Sequence, residues 1–77
     1  MTKQPSIGRI INYVPTEEEK LKWGGVEIQP AIITRVWNIS MLNLKVFTNS
    51  PTDVWKTSVE HDGNKSAGSW HWPEIKQ

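Results

Sequence analysis

The chain has 77 residues, which suits one small domain spanning 1–77, and it contains no cysteine, so disulfide bonds and thiolate zinc sites are excluded. Its nine Lys and Arg residues against eight Asp and Glu residues give a net charge of +1, a balance that argues against nucleic acid as the main partner. No apolar run approaches the roughly 20 residues of a membrane span, and the start "MTKQPSIGRI" lacks the apolar centre of a signal peptide, so we expect an intracellular protein.

The first predicted strand is followed by a long connection. The strand covers 7–14, "IGRIINYV", which is rich in β-branched residues and lacks helical spacing. The connection covers 15–30. Within it, Thr16 and Glu19 have the spacing of a capping box, which favours a short helix within 16–23, although a polar loop is the alternative.

Four more short strands are predicted in chain order. They lie at 30–37, 41–48, 54–60 and 70–72, where β-branched and aromatic residues alternate between turn-forming segments. A long first loop followed by tight connections predicts a small five-stranded, SH3-like antiparallel barrel, since closing the sheet removes exposed edges. The alternative is an open sheet with a helix at 15–23 lying across it.

Alternation along the strands predicts which side chains are buried. The buried face of the third strand is expected to consist of Leu42, Leu44 and Val46. Its opposite, exposed face is expected to consist of Asn43, Lys45 and Phe47. On the second strand, the parity that places Arg35 outside also places Ile33 and Trp37 outside. On the fourth strand, one face is expected to consist of Trp55, Thr57 and Val59, opposed to Lys56, Ser58 and Glu60.

One exposed face is therefore predicted to bring together Arg35, Trp37, Lys45 and Phe47. Aromatic planes beside guanidinium and ammonium groups suit a nucleobase stacked next to a phosphate. The same residue types also suit a protein–protein interface. A homo-oligomer is expected, because so small a core supplies only about 3–5 kcal/mol and five tryptophans provide surface for an interface.

The last predicted strand, "WHW", raises a separate question about its tryptophans. By alternation, Trp70 and Trp72 share a face and His71 points the other way. One interpretation is that the tryptophans fill the end of the barrel. The other is that all three residues belong to a ligand-binding surface, with a base stacked on an indole and His71 donating a hydrogen bond.

Motifs of known enzymes are missing from the sequence, which has neither a glycine-rich phosphate loop nor a G-x-S-x-G or H-E-x-x-H segment. We therefore expect no enzymatic activity and no cofactor. His61 and Asp62 are interpreted as loop residues. A metal site built from His61, Asp62, His71 and Glu74 lacks recognisable ligand spacing, so no metal is predicted.

Four segments together resemble a group of small proteins encoded by tailed bacteriophages and prophages. The segments are "PAIITRVW", "LNLKVF", "TSVEHD" and "GSWHWPE", and the resemblance covers roughly residues 5–75. The ending W-H-W-P is its most specific part. The resemblance singles out Pro30, Ala31, Val36, Trp37, Val46, Phe47, Gly68, Trp70, His71, Trp72 and Pro73.

The resemblance implies a phage setting, in which small proteins outside replication are virion parts or agents against host defence. Some of the latter are sponges, small oligomeric proteins that bind a nucleotide immune signal and do not cleave it. The resemblance thus implies a non-enzymatic binding protein in the host cytoplasm, with an anti-defence sponge as one hypothesis. The alternative is a structural protein of the virion, or a module that binds a host protein and no small molecule.

Overall fold

The structure, a computed structural model, describes residues 4–73. Its elements are β1 (Ile10–Tyr13), α1 (Glu17–Lys22), β2 (Gln29–Val36), β3 (Met41–Val46), β4 (Val54–Glu60) and β5 (Trp70–His71). The strands form one antiparallel sheet in the order β4-β3-β2-β1-β5. The sheet curls into a half-barrel of the small SH3-like all-β type, which confirms the predicted fold class.

The two edge strands of the sheet meet at one end of the half-barrel. His61, directly after β4, forms a parallel bridge with Trp70 of β5. The amide of Asp62 donates to the carbonyl of Trp70 at 3.0 Å, and the amide of His61 donates to the carbonyl of Ser40 at 2.8 Å. The bond between Asp62 and Trp70 satisfies backbone groups that an open edge would leave unpaired, while the bond to Ser40 continues the pairing of β4 with β3.

The long first connection contains the short helix that the capping box indicates. The Thr16 hydroxyl accepts a hydrogen bond from the Glu19 amide at 3.2 Å, and Glu19 Oε1 accepts one from the Thr16 amide at 3.0 Å. Glu19 also anchors the helix to the sheet, since Oε1 accepts from the Tyr13 hydroxyl at 2.7 Å and Oε2 pairs with Lys56 Nζ. The helix is therefore bound to both β1 and β4.

One apolar core fills the inside of the half-barrel. Its buried members are Ile11, Tyr13, Trp23, Ala31, Ile33, Leu42, Leu44, Val46, Val59 and Trp70. The predicted burial of the apolar face of β3 is confirmed, because its three members are 0% exposed. Trp23, which follows α1, is 6% exposed and brings the long connection into the core.

Two β-bulges flank Asn43 and change the parity of the neighbouring strands. Between β2 and β3, the register passes from Ile33 opposite Leu44 to Arg35 opposite Asn43, so one residue of β2 is left over. Between β3 and β4, two residues of β4 oppose Asn43 alone. One of them, Ser58, has a φ of 56°, the left-handed conformation that bulges accommodate.

These bulges explain which predicted orientations were wrong. Ile33 was predicted to be exposed with Arg35 but is 1% exposed. Trp55 and Val59 were predicted to share a face, yet Trp55 is 61% exposed and Val59 4%. Each extra residue shifts the strand by one position, which turns every later side chain to the opposite face. Asn43 was predicted to be exposed but is 6% exposed, because Trp37 and the bulge residues Thr57 and Ser58 hydrogen-bond to its side chain.

Candidate binding face

The outer surface of the sheet carries a cluster of aromatic and cationic side chains, which we call the basic face. It consists of Arg35, Trp37, Lys45, Phe47 and Trp55, all of them exposed. The first four were predicted together. Trp55 was not predicted to lie on this face, because the alternation along β4 was assumed to continue unchanged through the bulge. Alternation counted only from Val54, which packs against the core, would have placed Trp55 outside.

At one end of the basic face, a guanidinium group is stacked on an indole ring. The Arg35 guanidinium carbon lies 3.9 Å from the centroid of the Trp37 ring. Residues two apart on a strand share a face, so the strand geometry itself brings this pair together. The contact is a cation–π interaction, which holds a positive charge against the ring.

Asn43 fixes the orientation of the Trp37 ring through a hydrogen bond. The indole N–H donates to Asn43 Oδ1 at 2.8 Å. The same oxygen accepts from the Thr57 hydroxyl at 3.0 Å and from the Ser58 amide at 2.9 Å. Asn43 thus links the bulge of β4 to a ring of the basic face, so that the fold determines the position of a surface tryptophan.

At the centre of the basic face, Lys45 lies in a row that crosses four strands. It is directly opposite Trp55 on one side and Ile32 on the other, and Ile32 is opposite Ile10. Directly opposed side chains on one face of a sheet are about 4.5–5.5 Å apart at Cβ. Lys45 therefore stands between an indole and an apolar strip whose outer member, Ile10, is 48% exposed.

The charges of the basic face are positive at the centre and negative at the margins. None of the ion pairs within residues 4–73 involves Arg35 or Lys45. Glu60, opposite Met41 in register, lies at the Trp37 end and accepts a hydrogen bond from the Ser40 hydroxyl at 3.4 Å. At the other end, Asp53 directly precedes β4 at the level of Phe47. An anionic group would therefore be attracted to the middle of the face.

The three predicted site residues of the last strand lie elsewhere, where the half-barrel closes. Trp70 is 0% exposed, and its indole N–H donates to the Ser40 carbonyl at 2.9 Å. Its ring meets those of His61 and Trp72 edge to face, with centroids 4.7 Å and 5.3 Å away. Trp70 therefore fills the core, as the first interpretation predicted, and has no free face for a base.

His71 and Trp72 are also turned away from the basic face. His71 is 4% exposed, and its Nε2 lies 3.5 Å from the side-chain nitrogen of Asn12. Trp72 is partly buried against the core, with the Arg9 guanidinium 5.3 Å from its ring centroid. The predicted ligand-binding set thus divides into surface residues on or directly after β2 and β3, and residues on or directly after β5 that close the half-barrel, because β5 pairs with β1.

A separate cleft of about 310 Å³ lies between α1 and the loop that follows β4. Its lining includes Glu17, Lys20, Glu27 and Ile28, together with apolar and basic groups of the two loops. Lys20 and Glu27 already pair across it at 3.5 Å, and its lining contains no aromatic residue. It therefore lacks the stacking surface that the basic face provides.

Two side chains of the cluster that anchors α1, Tyr13 and Glu19, have shifted pKa values. Burial raises the pKa of Tyr13 well above its ordinary value, and the hydrogen bond to Glu19 adds to the effect. Burial also acts to raise the pKa of Glu19, but hydrogen bonds from Lys56, the Thr16 amide and Tyr13 outweigh it and leave that pKa lowered. The carboxylate is thus stabilised in its charged form, as a structural anchor requires.

Within residues 4–73, no group of three or more His, Asp or Glu side chains is placed to hold a metal ion. Glu74, one member of the metal site considered from the sequence, lies outside the described residues. In the same part of the chain, no helix has the length and apolar character needed to cross a membrane.

Comparison with known protein families, curated proteins and solved structures gave no match.

Proposed function

We propose that this chain is a non-enzymatic binding protein that holds a nucleotide-type anion on its basic face. The observation that carries the proposal is the stack of Arg35 on Trp37, 3.9 Å from guanidinium carbon to ring centroid, with Lys45 nearby. Neither cation has a carboxylate partner in residues 4–73. Cations without a carboxylate partner, beside exposed rings, match a ligand that combines negative charge with an aromatic base.

The chemistry of each residue suggests how such a ligand is held. A guanidinium forms two parallel hydrogen bonds to a phosphate, whereas an ammonium acts as a point charge. Arg35 therefore orients the phosphate and Lys45 neutralises it. The exposed rings of Trp37 and Trp55 supply stacking, worth roughly 1–3 kcal/mol per base. These interactions retain a ligand without converting it.

The resemblance to phage proteins suggests a biological role for this binding activity. In a phage-encoded protein of the host cytoplasm, retention of a nucleotide would sequester an immune signal, which is the action of an anti-defence sponge. Sequestration requires affinity and copy number rather than catalysis, and it therefore suits a small domain with a preformed binding surface.

The direct test is calorimetric titration of the full chain with a panel of cyclic dinucleotides and cyclic ADP-ribose isomers. We expect at least one ligand to bind with a Kd below about 10 µM, which corresponds to roughly −7 kcal/mol. If none binds, the nucleotide proposal is wrong and the second candidate below replaces it.

The second candidate is a structural or protein-interaction module, and one observation favours it. Ile10, Ile32 and Trp55 lie in one cross-strand row, and Ile10 and Trp55 are 48% and 61% exposed. Exposed apolar surface with a charged margin is typical of protein interfaces. Under this candidate, Trp55→Glu would abolish binding of a phage or host protein, and no nucleotide would bind.

A further inference from the structure

The aromatic and cationic side chains of the basic face follow one another in a defined order. Arg35 is opposite Asn43, and Lys45 follows Asn43 by two residues on the same face of β3. Arg35 and Lys45 are therefore diagonal neighbours across the bulge of β2. Trp37 lies beyond Arg35, and Trp55 lies beside Lys45. The order along the face is thus ring, cation, cation, ring.

The Trp37 and Trp55 rings stand at different levels of the face, because side chains project roughly perpendicular to a sheet. The Trp37 amide donates to the Met41 carbonyl at 3.0 Å, which places Trp37 level with Met41 of β3. Trp55 is level with Lys45. Four residues of strand separate these levels, or about 13 Å at roughly 3.3 Å per residue. One base can therefore stack on one ring only, with the two cations between the rings.

The margins of the face limit the length of the ligand. Exposed carboxylates stand at both ends, Glu60 beside the Trp37 end and Asp53 beside Phe47. A chain of many phosphates that ran along the strands would pass these carboxylates, and like charges repel. The favourable position for a phosphate is the central one, between Arg35 and Lys45.

We infer that the ligand class is a dinucleotide, with one base on the Trp37–Arg35 stack, one on Trp55 and the linking phosphate between the two cations. This inference rests on the proposed function, because it specifies the nucleotide-type anion held by the same face. It selects against mononucleotides, which use one ring, and against long single strands, which meet the marginal carboxylates.

The test is a calorimetric series with the full chain and four probes: AMP, linear ApA, cyclic di-AMP and the octamer A8. We expect at least one dinucleotide to bind about ten- to a hundredfold more tightly than AMP, the gain from stacking a second base. This gain is expected although AMP carries more negative charge than ApA. A8 should exceed the better dinucleotide by less than about tenfold.

A variant of Trp55 and a control variant test whether the second base stacks on the Trp55 ring. Trp55→Ala should lower dinucleotide affinity to about that of AMP, a loss of roughly ten- to a hundredfold. Leu21→Ala is the control, because Leu21 is 85% exposed on α1 and should leave every affinity unchanged. Thermal unfolding of both variants shows whether the fold is intact.

The possible outcomes distinguish this inference from the proposed function on which it rests. If AMP and both dinucleotides bind equally well, the dinucleotide inference is wrong while the proposed function stands. If A8 binds far more tightly than either dinucleotide, the ligand is a longer nucleic acid and the inference is also wrong. If no probe binds but a cyclic ADP-ribose isomer of the earlier panel does, the inference is wrong and the proposed function stands. If neither the probes nor that panel bind, both fail.

Discussion

The side-chain oxygen of Asn43 accepts the indole N–H of Trp37 at 2.8 Å, and this bond joins the interior of the sheet to its binding surface. The same oxygen accepts two donors from the bulge of β4. A buried side chain thus does two things: it stabilises a backbone irregularity and orients a surface ring.

Asn43→Ala should therefore affect both stability and binding. It leaves three donors without their acceptor, and we expect a loss of about 1–3 kcal/mol in the free energy of unfolding. Urea unfolding measures the loss. Asn64→Ala, in the exposed loop before β5, is the control and should change stability by less than about 0.5 kcal/mol. Equal stability of the two variants would contradict this role of Asn43.

The core prediction concerns Leu44, which is 0% exposed. Leu44→Ala should cost about 2–5 kcal/mol, the range for a buried leucine. In a domain of this size, such a loss approaches the whole free energy of unfolding. Leu21→Ala is the matched control, because this leucine is 85% exposed. Similar urea midpoints for the two variants would show that the core is wrongly assigned.

The lowered pKa of Glu19 predicts how stability depends on pH. A carboxyl group with a depressed pKa in the folded state stabilises the fold above its unfolded pKa, and the stabilisation is lost as the pH falls through the folded value. Stability should therefore decline on acidification from about pH 5 downwards. In Glu19→Gln, thermal unfolding should show a smaller decline over this range. An unchanged pH profile would contradict the anchoring role of Glu19.

Self-association is predicted from the small core and the exposed apolar row. Analytical ultracentrifugation at tens of micromolar should show a homo-oligomer, with an interface that buries on the order of 1,000 Å² or more in total. Ile10→Glu should shift the distribution towards monomer if the interface includes the apolar strip of Ile10 and Ile32, which is not part of the proposed ligand site. A monomeric wild-type protein would refute self-association and leave this surface for another partner.

Most elements of the fold were predictable from the sequence because their signals are local. The capping box of Thr16 and Glu19 fixes the start of α1, and alternation fixes the buried face of β3. The bulges beside Asn43 were not predictable, since an inserted residue has no signature in a pattern of period two. The orientations of Ile33 and Trp55 were lost for that reason.

The candidate site was predicted only in part, for a different physical reason. Arg35, Trp37, Lys45 and Phe47 are brought to one face by strand pairing, as their parity indicated. Alternation cannot distinguish a tryptophan that fills a core from one that lines a surface. The burial of Trp70 depends on the curl of the sheet, which brings the end of β4 against β5. That closure brings together residues that are far apart in the sequence, so no local sequence pattern predicts it.

If the positive charge at the middle of the basic face holds the ligand, two lysine variants should differ in their affinity for it. The measurement compares, by calorimetry, the affinity of Lys45→Gln and Lys22→Gln for the tightest nucleotide of the panel. Both substitutions remove one exposed positive charge, but Lys22 lies on α1 and pairs with Glu18. We expect Lys45→Gln to weaken binding about tenfold, as loss of a charge-assisted contact does, while Lys22→Gln binds as the wild type does. Equal affinities for the two variants would contradict the claim.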